Sequence, residues 1–125
     1  MPAYDRSYSP PAPVAAVTVI HPVTGLTSGA LPGKLDTGAA MTVMPQQTAA
    51  QLTLSPHREV WARGYDGNYA RRAVYFVRLV MEGHELGIVQ CLAAHRSTVL
   101  VGRDVLNQFL LTLDGKNLRF EMKRV

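Results

Sequence analysis

The chain has a single cysteine, Cys91, among its 125 residues, which excludes an intrachain disulfide framework and a cysteine-based zinc site. Cys91 stands in the apolar stretch Ile88-Val89-Gln90-Cys91-Leu92 and reads as a small buried hydrophobe. No apolar run approaches the roughly 18 residues that a membrane-spanning helix needs. The opening residues, Met1-Pro2-Ala3-Tyr4-Asp5-Arg6, lack a basic segment followed by an apolar one, so no secretory signal is read there. These absences lead to the expectation of a soluble, cytoplasmic protein with no membrane partner. The four histidines, His21, His57, His84 and His95, have no metal-ligand spacing, and neither a metal nor another cofactor is expected. The formal charge of +4 is spread thinly: Arg71-Arg72 and Lys123-Arg124 are only pairs. Nucleic-acid binding calls for a clustered basic stripe, so no nucleic-acid partner is expected.

What is present is a chain that is 47% hydrophobic, enough to bury the core of one domain. Residues 1–13 carry Pro2, Pro10, Pro11 and Pro13. Proline cannot donate to a ladder, so this stretch reads as a flexible arm preceding a domain over residues 14–125. Residues 14–20 are β-branched and apolar, a first strand. Residues 21–33 are punctuated by Pro22, Gly25, Gly29, Pro32 and Gly33 and read as mostly turns. Residues 45–52 suit a short helix with proline at its start. Strands are expected at 59–63, 73–81, 86–93 and 98–101, with Asp66-Gly67 turning a hairpin after the first of them. Residues 104–109 suit a short helix, and residues 110–120 a closing hairpin. Many short strands at regular turn spacing argue for an all-β sandwich or barrel.

Two stretches carry the chemistry. The first is Leu35-Asp36-Thr37-Gly38-Ala39-Ala40. A carboxylate at the end of a buried strand is costly unless partners meet it; Gly38 permits close backbone approach and Thr37 supplies a hydroxyl. By itself the triplet does not separate a catalytic acid from a turn, because Asp and Gly are both good turn formers. The second stretch is Val99-Leu100-Val101-Gly102-Arg103-Asp104-Val105-Leu106, an apolar strand running through glycine into a short helix.

Together, and with Arg63-Gly64-Tyr65-Asp66-Gly67-Asn68 between them, these stretches resemble the retropepsin-like, or retroviral-type, aspartic proteases of the bacterial single-domain kind. The resemblance covers residues 14–122. It implies an all-β fold: a closed acid-protease barrel of short strands with a flap hairpin and one short C-terminal helix. It implies an aspartic endopeptidase acting on peptide or protein substrates as a homodimer. Asp36 would be the catalytic carboxylate, Thr37 would link the two active-site loops across the dimer axis, and Gly38 would admit the substrate backbone. Ala39 would line the cleft. Tyr65, Asp66 and Gly67 would form the flap tip over the substrate, Gly102 would let the supporting strand pack close, and Arg103 would brace the site through an acidic partner.

The chain departs from the viral pattern in three places. Ala40 stands where an acid is common, so Arg103 must find another partner, with Asp104 and Glu59 as candidates. Lys34 replaces an apolar residue and faces either the cleft or solvent. The flap tip carries one glycine after Tyr65. The chain has one Asp-Thr-Gly, whereas hydrolysis of an amide needs one carboxylate as base and one as acid. Two copies on a two-fold axis would supply both and share one proton, the general property of aspartic-protease dyads. Two other readings stay open on the residues alone: a catalytically silent dimerisation or peptide-binding module with this fold, and an unrelated small barrel whose Asp-Thr-Gly is a turn.

Overall fold

The computed structural model describes residues 1–64 and 67–124. Nine strands and two short helices run in the order β1 (Val14–Ile20), β2 (Thr27–Leu35), β3 (Val43–Pro45), α1 (Gln46–Gln51), β4 (Arg58–Arg63), β5 (Tyr69–Met81), β6 (His84–Ala94), β7 (Val99–Val101), α2 (Arg103–Leu106), β8 (Phe109–Asp114) and β9 (Arg119–Arg124). The main sheet has the order β1-β2-β7-β3-β6-β5-β4, and β5 also pairs with β1. That extra pairing joins the two sides of the sheet, so six strands close into a barrel and β4 hangs outside it on β5. The all-β barrel inferred from the sequence is the fold observed.

Burial follows strand alternation. In β1, Ala15, Val17 and Val19 point inward, and in β5 Val77, Leu79 and Met81 do the same. The three residues of β7, Val99, Leu100 and Val101, are all buried, as a strand flanked by β2 and β3 requires. Phe120 and Val105 complete the core from the C-terminal side, and Cys91 is wholly buried, which pushes its thiol pKa far up.

Residues 21–33, expected as turns, are where the structure differs most. Only the first part turns; from Thr27 the chain forms β2, paired residue for residue with β1 from Val14↔Lys34 to Thr18↔Ala30. The glycines and proline that suggested turns have other reasons to be there. Gly33 packs where a β-carbon would lie 2.5 Å from Val17 Cγ2 and 3.1 Å from Val101 Cγ2, so crowding between β1 and β7 demands glycine. Gly29 takes φ +70, a bend within the strand rather than its end. Smaller differences concern bounds. The strand expected at 73–81 begins at Tyr69 because β4 extends its ladder. The helix expected at 104–109 stops at Leu106, because Phe109 already pairs with Arg124 in the closing hairpin.

Residues 1–13 are laid against the domain. Ala3 bridges to Arg119, Asp5 bridges to Ala12, and the Phe120 amide donates to the Pro2 carbonyl at 3.0 Å. Tyr4 packs on Phe120 with ring centroids 6.3 Å apart. The prolines sit beside these bonds, leaving non-proline amides to make them. No helix among the described residues is long and apolar enough to cross a membrane.

Candidate active site

β2 ends at Leu35 because its neighbour β7 ends at Val101, and the chain turns at once. The Asp36 amide donates to the Val101 carbonyl at 2.9 Å, and the Ala39 amide closes the turn on the Asp36 carbonyl at 3.2 Å. Within that turn the Gly38 amide donates to Asp36 Oδ1 at 2.8 Å. A β-carbon at position 38 would lie 3.1 Å from the same oxygen, so glycine keeps the loop tight around the carboxylate. Asp36 is half-buried, while Thr37, Gly38 and Ala40 are exposed.

The loop is tied from behind. The Arg103 amide donates to the Ala39 carbonyl at 2.8 Å, and Arg103 Nη1 donates to the Thr37 carbonyl at 2.9 Å. This corrects the acidic partner expected for Arg103: Glu59 pairs instead with Arg71 at 2.6 Å, and Asp104 is committed elsewhere. Asp104 Oδ1 accepts from the Thr42 hydroxyl at 2.8 Å and Oδ2 from the Thr42 amide at 3.1 Å, while the Gly102 amide donates to the same hydroxyl at 3.1 Å. Thr42 is fully buried and uses its hydroxyl as both donor and acceptor. At Gly102 a β-carbon would meet the Met41 carbonyl carbon at 2.7 Å and its oxygen at 2.8 Å, so only glycine lets the strand pass behind the loop.

In front of the loop lies a cleft of about 810 Å³. Asp36, Gly38 and Ala39 line it from the loop, Val60, Trp61, Ala62, Ala70 and Arg72 from the β4–β5 hairpin, and His95, Arg96 and Leu100 line it as well. The hairpin turn is shaped by Gly67 at φ +81, with the Gly64 amide on the Asn68 carbonyl at 2.9 Å. Gly64 and Asn68 line the cleft and Gly67 does not. Tyr65 and Asp66, expected at the tip, lie outside the described residues. Lys34 does not face the cleft. Its ammonium sits 5.1 Å from the centre of the Tyr8 ring, which corrects the cleft-facing alternative.

The sequence reading missed the Thr42–Asp104 pin and the arginines of the cleft. An acid in the first turn of a helix after glycine was a usable signal for Asp104; Thr42, in an unpatterned loop, offered none. The inward parity of Arg72 follows from the hairpin register, which the sequence alone left open.

A six-stranded closed barrel whose Asp-Thr-Gly loop is backed by an apolar strand ending in glycine is the retropepsin-like aspartic protease fold. The chain belongs to the family described as "gag-polyprotein putative aspartyl protease", whose model matches residues 32–108. Solved structures agree on the fold. A retropepsin-like aspartic protease from Rickettsia conorii superposes with a TM-score of 0.65 at 17% identity, covering 98% of this chain and 89% of that one. The EIAV protease bound to the inhibitor HBY-793 gives 0.58 at 21% identity, over 77% of this chain and 86% of that one. The retroviral protease-like domain of Ddi1 from Leishmania major gives 0.57 at 13% identity, over 91% and 90%. No curated protein matches the chain.

Proposed function

We propose that the protein is an aspartic endopeptidase that works as a homodimer, with the two copies of Asp36 forming the catalytic pair. One observation carries the reading: among the described residues Asp36 is the only carboxylate lining the cleft, and its Oδ1 is held by the Gly38 amide at the cleft wall. A turn residue needs neither the cleft nor the backing strand, and the pinned loop holds the carboxylate in place before substrate arrives.

In the proposed reaction one Asp36 carboxylate takes a proton from water as the oxygen attacks the scissile carbonyl carbon. The partner's Asp36, protonated, gives its proton to the carbonyl oxygen. Collapse of the tetrahedral species expels the amine, which leaves protonated, and restores one proton to the pair. Thr37, Gly38 and Ala40 are exposed on one protomer, where a second copy would cover them, and Thr37 is assigned the link between the two loops. Gly102 and Arg103 are assigned the support of the loop. The β4–β5 hairpin is assigned the role of a flap that excludes water over bound peptide.

The test is Asp36→Asn. The amide keeps the shape of the side chain and cannot act as base, so hydrolysis of a diverse peptide library should vanish while sedimentation still shows a dimer. Wild-type specific activity should rise more than linearly with protein concentration near the dimer dissociation constant, and should follow a bell in pH. Hydrolysis retained in Asp36→Asn, or full activity from a strict monomer, would sink the proposal. Bound peptide without hydrolysis in the wild type would favour a silent peptide-binding module.

A further inference from the structure

Among the described residues the cleft is unbalanced in charge. Arg63, Arg72 and Arg96 line it together with His95, and Asp36 is the one carboxylate among them. The hairpin register decides which arginine faces inward. Val60 pairs with Arg72 and Ala62 with Ala70, so these four share one face, and all four line the cleft. Glu59, Trp61 and Arg71 have the opposite parity; of these three only Trp61 also reaches the cleft, as Arg63 does nearer the turn. Arg71 is neutralised by Glu59 at 2.6 Å and lies 6.0 Å from the centre of the Trp61 ring. The inward-facing Arg72 has no such partner: among the described residues no carboxylate pairs with it, nor with Arg63 at the rim.

Arg96 enters from the loop between β6 and β7. Its Nε donates to the Thr98 carbonyl at 2.7 Å and its Nη2 to the Thr98 hydroxyl at 3.1 Å. Both bonds fix the guanidinium plane, and neither uses Nη1. A half-buried guanidinium already held in place loses little freedom when it receives an anion. Apolar side chains, Val60, Ala62, Ala70 and Leu100, line the same cleft as the two arginines. That pattern suits an extended peptide that carries apolar residues and places carboxylates near the arginines.

We infer that the cleft selects peptides carrying Glu or Asp beside an apolar core, with Arg72 and Arg96 as the specificity-determining residues. The inference rests on the reading of this cleft as the peptide site. It makes the selectivity electrostatic, so the preference should weaken as ionic strength rises.

The experiment uses the full chain. A randomised peptide library identifies the preferred acidic position, and two peptides differing only by Glu or Gln there are then compared. The ratio of their kcat/KM values should be about tenfold in favour of Glu, the size of one well-formed charged contact. Arg72→Gln or Arg96→Gln should bring the ratio toward about one, on the same tenfold scale. Arg72→Glu should move the preference to Lys, a gain that misfolding cannot imitate. Fluorescence anisotropy of the same labelled peptides on the Asp36→Asn protein reads the preference without turnover. A ratio near one in wild-type turnover and in binding overturns the inference. So does a ratio unchanged in all three arginine variants, which would leave the arginines acting on Asp36 alone. Preferential binding of the Glu peptide with no cleavage of any peptide would overturn the catalytic reading and leave the acidic selectivity standing.

Discussion

The two walls of the cleft are built on different terms. The Asp36 wall is fastened from both sides: β2 lies between β1 and β7, and the loop beyond it is tied to Val101, Arg103 and, through Gly102, to Thr42. Its glycines, Gly33 and Gly102, are required by contacts shorter than any β-carbon tolerates. The hairpin wall is fastened from one side. Among the described residues β4 pairs with β5 alone, and the hairpin's aromatics are open to solvent, Trp61 at 68% and Tyr69 at 64% exposed. A carboxylate that must meet a substrate with sub-ångström precision gains from the first kind of wall. A cover that must admit and release a peptide gains from the second, since local stability is low where few buried contacts support a ladder. Hydrogen bonds and close packing are thus concentrated on the Asp36 wall and not shared evenly over the barrel.

If this is right, similar substitutions should have unequal effects on the two walls. Gly102→Ala should be the most damaging: the new methyl meets main-chain atoms of Met41 that cannot swing aside. A loss of about 3 kcal/mol is expected, read as a fall in Tm on the order of ten degrees. A Tm unchanged in this variant would break the claim that the backing strand is sterically locked.

Thr42→Val comes next. It keeps the shape but leaves the Gly102 amide and Asp104 without the buried hydroxyl, at a cost of about 2 kcal/mol. Thr42→Ser should recover most of this loss in the same thermal melt, because it restores both hydrogen bonds.

Removing residues 1–11 sharpens the comparison from a third side. These residues place Tyr4 on Phe120 and pair with β9, so their loss should cost about 1–2 kcal/mol. Hydrogen exchange should quicken in β9 and not in β2. Exchange unchanged in β9 would show the segment to be an ornament on the domain.

Gly67→Ala should be the mildest. Nothing lies within 3.4 Å of its β-carbon position, and the penalty is only that of φ +81 for an alanine, about 1 kcal/mol. Because β4 stands outside the closed barrel and Gly67 lies in the turn that joins it to β5, global Tm should barely move, while peptide turnover should fall if the hairpin covers substrate. A drop in Tm as large as that of Gly102→Ala would erase the distinction between the walls.

Much of this arrangement was legible from residues. The bounds of β1 follow from a β-branched run, and the order of Asp-Thr-Gly, hairpin turn and apolar strand into glycine gave both family and barrel. Each of these signals is local, carried by neighbouring residues whose chemistry has one common use. β2 was missed for the converse reason. Gly29, Pro32 and Gly33 are turn formers by local propensity, and pairing with β1 and β7 overrode that propensity. The partner of Arg103 was misjudged because charge suggested a carboxylate, whereas the nearest acceptor proved to be the Thr37 carbonyl.

The sequence by itself determined the identity of the candidate acid, the strand behind it and the class of fold, because a carboxylate beside Thr-Gly and a glycine-terminated apolar strand are constraints written in consecutive residues. Only the tertiary structure decided that Lys34 turns away toward Tyr8, that Thr42 and Asp104 pin the loop, and that Arg72 and Arg96 share the cleft with Asp36. The physical reason is distance along the chain. Barrel closure sets strand register, and register alone settles which face a side chain presents and which remote groups it meets.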